Sequence, residues 1–572
     1  MASQNSVLNP TTRARALDEM AARELDVLVI GAGVVGAGAA LDAASRGLTV
    51  GLVEARDMAS GTSSRSSKLV HGGLRYLKQL NFSLVFEALR ERSLILDTLC
   101  PHLARPVEFV YPLERRGIDR GYVGLGIGVY DVLGAGKGVP SHHKHLSKRK
   151  TLESFPGAKR GAVHGGIKFY EGQLDDARHT MMIARTAAEY GAYVATSARV
   201  VDLVRQGERV VGATVRDLEA GREITVRAKT VVNATGVWTD DVQKMVGKSG
   251  FRVQASKGVH IVVPRDRIQS RTGLITETEK SLLFIIPCPW SDDFWVIGTT
   301  DTPWDLDKAH PAASQADIDY ILDHANSLLE TPLTRDDVVG VYAGLRPLLA
   351  GESDQTSKLS REHACVSPVP GLVIIAGGKY TTYRVMAEDA VNEAVKQLPG
   401  KIPASCTDRV PLVGADGYQA LWNTRERIAE RTGLDVARVE HLLGRFGSDI
   451  SDLLDLIEQD PSLAEPVEGA PKYLKAEVVY AVSFEGALHL DDILARRLRV
   501  SIDTWDRGEA AAPAVAKLVA PLLGWDDAAV DREIEHYHQR VTAERESQLQ
   551  VDDMTADAAR LGAPEVRVGV SA

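Results

Sequence analysis

A glycine pattern near the start of the chain restricts the fold more than any other feature of the sequence. Gly31-x-Gly33-x-x-Gly36 stands between an apolar segment, 26–30, and a stretch rich in small residues. A second apolar segment, 48–54, follows it. Short strands that are almost continuously apolar are typical of a parallel sheet covered on both faces. The pattern therefore predicts a strand–helix–strand unit of the kind that binds a dinucleotide.

The glycines and the first helical residues have distinct physical roles in such a unit. Gly31 permits a tight turn, Gly33 lets a pyrophosphate approach the backbone, and Gly36 lets the helix pack closely on the strand. The helix begins at Val34 and Val35, where free N–H groups and the positive end of the helix dipole face the phosphates. We therefore predict that these positions bind the cofactor.

The type of dinucleotide depends on residues further along the chain. Glu54 ends the second strand 18 residues after Gly36, where an acid that accepts hydrogen bonds from a ribose is expected. This acid argues against NADP but does not separate FAD from NAD. A long flavin would need later strand ends beside the first. Ala234-Thr235-Gly236 and Gly378 are candidates, although each alone is an ordinary strand-to-loop turn.

Composition and charge exclude several classes of protein. The chain has 572 residues, 44% hydrophobic and 25% charged, which is ordinary for a folded globular protein. The net charge of −10 argues against nucleic acid as a partner. The four isolated cysteines do not form a disulfide framework or a zinc spacing, so we expect no metal. We see neither a signal segment nor an apolar run long enough to span a bilayer, so we expect a cytoplasmic location.

The strongest constraint on function is a resemblance carried by motifs in register from about residue 25 to 395. The motifs are SGTSSRSSKLVHGGLRYL (60–77), VNATGVWTDD (232–241), KGVHIVVP (257–264), VIGTTDT (296–302), YAGLRPLLAGESD (342–354), LSREH (359–363) and AGGKYTTYR (376–384). With them the chain resembles the FAD-dependent glycerol-3-phosphate dehydrogenases. The resemblance implies that FAD is the cofactor, that sn-glycerol 3-phosphate is oxidised to dihydroxyacetone phosphate, and that electrons pass to a membrane quinone.

The predicted fold class is α/β, with a discontinuous Rossmann-like FAD-binding domain, an interleaved antiparallel sheet and an all-helical C-terminal domain that resembles the cap domain of the family. Segments 282–287 and 294–298 predict a hairpin, and 82–99 predicts a helix. The expected regions are a loose leader (1–24), an oxidoreductase domain (25–395, with FAD-binding parts 25–105, 160–245 and 340–395 and a substrate-binding part mainly 246–340), a linker (396–413), a helical domain (414–550) and a weakly patterned tail (551–572).

The substrate implied by the resemblance is a small phosphate dianion, which needs fixed cations; guanidinium groups bind phosphate best. The family motifs contain Arg75, Arg346, Arg361 and Lys379. The resemblance implies that these residues, together with Tyr76, surround the substrate. A single surface arginine is usually only solvated or paired, so their joint placement carries the prediction.

Removal of the substrate's hydroxyl proton calls for a base, by default a histidine. His71 and His260 are the candidates; His260 lies in a strand pattern and fits a packed core role equally well, so we prefer His71. Arg346 and Lys379 complete the predicted catalytic set, because nearby cations could lower the pKa of the hydroxyl and leave its proton to water or to Arg346. The sequence does not decide between these routes.

A polar loop after the predicted ribose acid is expected to wrap the flavin, although a serine-rich stretch is usually a plain loop. Asp175 and Asp176 are interpreted as helix-capping residues. By the resemblance, the further cofactor-binding positions are Thr62, Ser63, Ser64, Ser67, Lys68, Leu69, Gly72, Gly73, Ala234, Thr235, Gly236, Gly378, Lys379, Tyr380 and Thr381.

Contact with a membrane surface is a further expectation. The apolar segment 121–133 and the basic segment 142–150 could insert shallowly and meet anionic lipid on the inner face of the cell membrane. A buried helix with a solvated basic loop explains them equally well. The quinone acceptor implied by the resemblance favours peripheral binding, and a homodimer is left open.

Three other functions remain as alternatives. A glycerol-3-phosphate oxidase would pass electrons to O₂. A related flavin oxidase would act on amino acids and would need a carboxylate clamp. A flavin-binding protein without turnover would act as a sensor or as an interaction module.

Overall fold

In a computed structural model, residues 4–73, 82–113, 143–247, 250–279, 282–350, 362–563 and 565–567 are described. The first of two large sheets contains the predicted nucleotide-binding unit. Ile30 pairs with Val53 on one side and with Asn233 on the other, all in parallel strands. In spatial order, its main strands are His363–Val369, Leu372–Gly377, Arg222–Asn233, Leu25–Ile30, Val50–Val53 and Tyr193–Ala195.

Both faces of this sheet are covered, which is why its strands are so apolar. On one face the glycine-rich helix Val34–Ser45 packs against Asp176–Glu189 and Tyr383–Val395. On the other face lie the helix Pro10–Ala22 and the antiparallel strands Ala198–Gln206 and Arg209–Asp217. The second of these strands pairs with the start of the long strand that enters the parallel sheet.

The first residues of the chain are more ordered than the predicted loose leader. Asn9 caps the helix Pro10–Ala22, accepting a hydrogen bond from the backbone N–H of Thr12. Leu17 and Met20 on this helix are fully buried. Their spacing places both side chains on one face, which packs under the parallel sheet.

The second sheet is larger than the predicted substrate region 246–340. The sheet also contains the strands Arg105–Leu113, Gly165–Gln173 and Gly340–Leu349, which the predicted range does not include. Local sequence patterns do not indicate this pairing, because the partner strands are distant in the sequence. The predicted hairpin is confirmed. The other strands are Leu69–Val70, Lys144–Ser147, Val253–Pro264, Gly273–Glu277, Leu282–Pro287, Phe294–Gly298 and Thr302–Trp304, and the sheet is mixed because Gly273–Glu277 runs parallel to Arg105–Leu113.

The helices outside the C-terminal region connect and cover the sheets. The predicted helix 82–99 is found as Phe82–Leu94 followed by a π-helical turn, Ile95–Leu99. Gln315–Leu328 covers one face of the second sheet. Among the described residues of this part, the other α-helices are Lys148–Ser154 and Thr239–Val246.

The predicted linker packs against the first domain. Val410 and Leu412 are buried in the main core, and the backbone N–H of Val413 donates to the hydroxyl of Thr186 at 3.0 Å. The apolar residues at its end explain this, because extended chain that carries such side chains gains free energy by covering a helix.

A helical domain follows, as predicted, with two apolar cores of its own. The tail does not lack structure, because its helix Asp553–Arg560 docks on the second sheet through Ala556 and through an ion pair between Asp553 and Lys257. The other helices are Tyr418–Asn423, Arg425–Thr432, Val436–Phe446, Ile450–Gln459, Lys475–Ser483, Val500–Asp503, Ala512–Leu523 and Asp527–Ser547, with a π-helical segment Asp492–Arg497 and a hairpin of Pro466–Val467 and Ala470–Leu474.

Candidate active site

A cavity of about 930 Å³ lies at the carboxyl ends of the parallel strands, where ligands of open α/β sheets bind. The strand ends at Ile30, Val53, Ala234 and Ala376 all reach its wall. The predicted cofactor residues on its wall are Gly31, Gly33, Val34, Val35, Glu54, Thr62, Ser63, Ser67, Leu69, Ala234, Thr235, Gly236, Gly378, Lys379 and Tyr380.

The glycine turn leaves no room for side chains. Gly31 has φ +100°, a backbone conformation that favours glycine. A Cβ atom on Gly36 would lie 1.8 Å from the carbonyl oxygen of Gly31, and one on Gly33 would lie 3.2 Å from the hydroxyl oxygen of Ser63. The backbone N–H of Val34 donates to that hydroxyl at 2.9 Å. The turn therefore has the close-packed form that a dinucleotide site requires.

Glu54 stands at the cavity wall with its carboxylate held in place by the backbone. It accepts hydrogen bonds from the N–H groups of Ala32 at 2.8 Å and Arg56 at 2.9 Å. Burial raises the pKa of Glu54, and these two hydrogen bonds act in the opposite direction. The acid is therefore oriented for the ribose contact that the sequence predicts.

Lys68 is not among the residues that line the cavity, and its contact with the cofactor stays a prediction. Its fully buried ammonium donates to both carboxylate oxygens of Asp176, at 2.6 and 2.8 Å, and to the carbonyl of Ser64. Asp175 caps its helix as predicted, whereas Asp176 also binds Arg499 at 2.7 Å. The reason is charge: a buried carboxylate needs cationic partners.

Several other predicted positions adjoin the cavity without lining it. These residues support the wall rather than form it: the hydroxyl of Thr381, for example, accepts from the backbone N–H of His71 at 3.1 Å. They are Gly36, Ser64, Gly72, Gly73 and Thr381. Arg75, Tyr76 and Arg361, and the apolar segment 121–133, lie outside the described residues.

His71 and His260 both line the cavity, so both candidate bases reach the same space. Nε2 of His260 lies 2.8 Å from the hydroxyl of Ser67, and its ring stacks on Tyr342 with centroids 4.8 Å apart. Burial lowers the pKa of His260 well below its usual value, and the charges of Arg346 and Lys68 lower it further. The ring is therefore neutral near pH 7, and the lowered pKa makes it a weaker base than an exposed histidine.

Arg346 extends from the strand Gly340–Leu349 and also lines the cavity. Its guanidinium donates to the carbonyl of Thr300 at 3.1 Å and to the hydroxyl of Thr299 at 3.0 Å. A Cβ atom on Gly258 would lie 2.4 Å from the guanidinium, so a larger residue at this position would displace the group. Asp301 is 3.7 Å away and offsets part of the positive charge.

Lys379 reaches the wall directly after a double glycine. Gly377 and Gly378 have φ +82° and +71°, and a Cβ atom on Gly378 would lie 2.4 Å from the sulfur of Met386. The turn therefore brings Lys379 to the cavity that Arg346 and the two histidines line. Arg346 and Lys379 thus share the wall with the neutral imidazole of His260, a set of groups suited to a small phosphate with a hydroxyl to be deprotonated.

Some wall residues were not predicted from the sequence. Trp238, Arg56, His310 and Leu561 belong to this group. Trp238 stands within a family motif, but the others follow no recognisable pattern, because they reach the cavity only through the tertiary fold.

Among the residues that the structure describes, no helix combines the length and the apolar character required to cross a bilayer.

Two family models match the chain. The model described as FAD dependent oxidoreductase matches residues 26–386, and the model described as the C-terminal domain of alpha-glycerophosphate oxidase matches 405–530. The two matches agree with the division into an α/β part and a helical part.

Named relatives are similar over almost the whole chain. Glycerol-3-phosphate dehydrogenase 2 of Mycobacterium tuberculosis (strain ATCC 25618 / H37Rv) is 57% identical over 566 residues, which cover 99% of this chain and 96% of the relative. The mitochondrial glycerol-3-phosphate dehydrogenase of Homo sapiens is 36% identical, with 91% and 73% covered.

A solved structure supports both the fold and the cofactor. The glycerol-3-phosphate dehydrogenase from Bacillus halodurans complexed with FAD has a TM-score of 0.78 at 29% identity, and the match covers 96% of this chain and 99% of that one. The predicted α/β fold with its helical C-terminal domain is confirmed. The chain belongs to the FAD-dependent glycerol-3-phosphate dehydrogenase family, and its cofactor is FAD.

Proposed function

We propose that the protein oxidises sn-glycerol 3-phosphate to dihydroxyacetone phosphate and passes the electrons to a quinone. The observation that carries the substrate is the convergence of Arg346, Lys379, His71 and His260 on one cavity with the glycine turn. The family names support it, because relatives over nearly the full length are glycerol-3-phosphate dehydrogenases.

In this proposal the two cations bind and orient the phosphate. Arg346 offers a planar donor group and Lys379 a compact charge, which together balance the dianion. The contacts of Arg346 with Thr299 and Thr300 fix the guanidinium before the substrate arrives, which reduces the entropy lost on binding. Arg75 and Arg361 stay predictions for the same site.

The hydroxyl proton leaves to a histidine. His71 remains our preferred acceptor, and His260 is the alternative because its buried ring is neutral and touches the same space. Bound FAD supplies the acceptor for the hydride from the carbinol carbon. The chain's own residues hold this carbon in place and accept the hydroxyl proton.

The acceptor is proposed to be a quinone because the near-full-length relatives are named dehydrogenases. The match of residues 405–530 to a domain of alpha-glycerophosphate oxidase makes O₂ the competing acceptor. Peripheral contact with the inner face of the cell membrane accompanies the quinone proposal.

An anaerobic flavin-bleaching experiment tests substrate and acceptor together. The purified protein, which is expected to be yellow, is mixed without oxygen with sn-glycerol 3-phosphate, or with glycerol as the control that lacks the phosphate. We expect bleaching only with the phosphate ester, fast recovery on adding a quinone and slow recovery in air. Fast recovery in air with peroxide would identify an oxidase, and no bleaching would overturn the substrate.

A further inference from the structure

A segment far from the family motifs reaches the cavity at the end marked by Glu54. Leu561, Ala563 and Glu565 are part of the cavity wall. They lie beyond both ranges that the family models match. We call residues 561–563 and 565–567 the strap.

Buried ionic contacts fasten the strap. The guanidinium of Arg567, which is 4% exposed, donates to both carboxylate oxygens of Asp492 at 2.9 Å and to the hydroxyl of Ser197 at 2.7 Å. Glu565 accepts from Nε of Arg56 at 3.2 Å and lies 3.3 Å from Nε2 of His310. A segment held by such desolvated charges occupies a defined place in the fold.

These contacts connect the strap to the predicted ribose acid. The backbone N–H of Ser197 donates to the carbonyl of Arg56 at 2.7 Å, and the N–H of Arg56 donates to the carboxylate of Glu54. The strap therefore lies on the side of the cavity marked by Glu54, where the adenosine of FAD is predicted to bind.

The exposure of Leu561 is a second indication that a ligand covers the part of the cavity near Glu54. Its side chain is 56% exposed although it faces the cavity. An exposed apolar side chain at a cavity rim gains free energy when a flat ring covers it. Glu565, half-buried beside it, offers carboxylate oxygens to the hydroxyl and amino donors of an adenosine.

We propose that the strap is a further part of the FAD site, in which Leu561 and Glu565 contact the adenosine half of the cofactor and Arg567 positions them. The inference rests on the placement of adenosine at Glu54 in the proposed site. Retention of FAD then depends on a segment outside the oxidoreductase domain.

The test measures FAD binding without substrate. Wild-type protein and the variants Leu561→Ala and Glu565→Ala are diluted, and release of FAD is followed by its fluorescence. Losing the apolar contact or the acceptor should raise the release rate and the Kd for FAD by about 10-fold. Met554→Ala is the matched control, because Met554 is 70% exposed but is not on the cavity wall; it should release FAD as the wild type does.

Conservative variants separate contact from folding. Glu565→Gln should retain FAD better than Glu565→Ala, and Arg567→Lys better than Arg567→Ala. With FAD added to saturation, the KM for sn-glycerol 3-phosphate should not change, because the strap's ionic contacts are with Arg56, His310 and Asp492 rather than with Arg346. Unchanged FAD release in both Leu561→Ala and Glu565→Ala would overturn the proposal. Variants that lose thermal stability but release FAD at the wild-type rate would also overturn it. Failure of the wild type to bleach would instead reject the proposed substrate and leave the FAD result standing.

Discussion

Single atoms decide whether the nucleotide-binding turn can form. Gly36→Ala would place a methyl group 1.8 Å from the carbonyl oxygen of Gly31. The turn must then open, so we expect loss of bound FAD and a destabilisation of at least about 2 kcal/mol. The flavin absorbance of the purified variant and its unfolding in urea measure both effects.

Gly444 offers a matched control for this substitution. It lies inside the helix Val436–Phe446, with open space where a Cβ atom would be placed and no positive φ. Gly444→Ala should keep its FAD and gain about 0.5–1 kcal/mol, because alanine favours the helical backbone. Equal flavin loss in both variants would contradict the steric argument.

Arg346 is the residue on which the substrate assignment depends most. Arg346→Lys keeps the charge but loses the planar donor group, so kcat/KM for sn-glycerol 3-phosphate should fall about 10- to 100-fold. The FAD content should stay unchanged. Arg335→Lys, on an exposed arginine paired with Asp319, is the control and should leave steady-state kinetics as in the wild type.

At the scale of elements, the polar loop that follows Glu54 is held by a cluster of buried charges to which both domains contribute. Arg499, on the helical domain, binds Asp175 at 2.5 Å and Asp176 at 2.7 Å, and Asp176 in turn binds Lys68. All four side chains are almost completely buried. The helical domain thereby anchors the loop that carries Ser63 and Ser67 to the cavity.

Removing Arg499 should therefore lower the free energy of unfolding more than removing a surface arginine does. Arg499→Ala leaves buried carboxylates short of a partner and should lower the free energy of unfolding by about 3–5 kcal/mol. Arg545→Ala, which breaks an exposed pair with Glu509, should cost no more than about 1 kcal/mol. Chemical denaturation of both variants makes the comparison; equal losses would show that the cluster does not stabilise the protein.

Local patterns predicted the elements better than the partners of those elements. The strand–helix–strand unit and the hairpin follow from apolar periodicity and turn residues within short windows. The ion pairs of Lys68 and Arg499 with Asp176 could not be predicted, because Asp176 lies 108 residues from Lys68 and 323 from Arg499 and no local pattern marks the partners. For the same reason, the sequence did not predict that Arg105–Leu113 pairs with strands of the second sheet. The family motifs, in contrast, did identify much of the cavity wall.

At the scale of the whole molecule, His489 links the helical domain to the α/β domain. Its Nδ1 lies 2.8 Å from Glu533 and its Nε2 lies 3.0 Å from Glu219. Burial and the charge of Arg567 lower the pKa of His489, but the hydrogen bonds to the two glutamates outweigh them and raise it to about 9. The imidazolium is thus more favourable in the folded protein than in the unfolded chain.

A pKa raised on folding adds stability that is lost as the pH rises. The contribution is complete below about pH 6.5, where the unfolded histidine is also charged, and disappears as the pH passes 9. We expect the wild type to lose about 2–3 kcal/mol between these values. His489→Gln should show a smaller change when the Tm is measured at pH 6 and pH 9; an identical pH profile would refute the assignment.

The cavity also has a consequence for biosynthesis. Its wall is assembled from separate stretches of the chain, the first of which includes Ile30 and the last Glu565. A chain emerging from the ribosome folds from its N-terminal part onward, yet the site stays incomplete until position 565 has left the exit tunnel. The nascent α/β domain must therefore stay folded before its FAD site is complete. The supply of FAD would then affect the stability of finished chains rather than of growing ones.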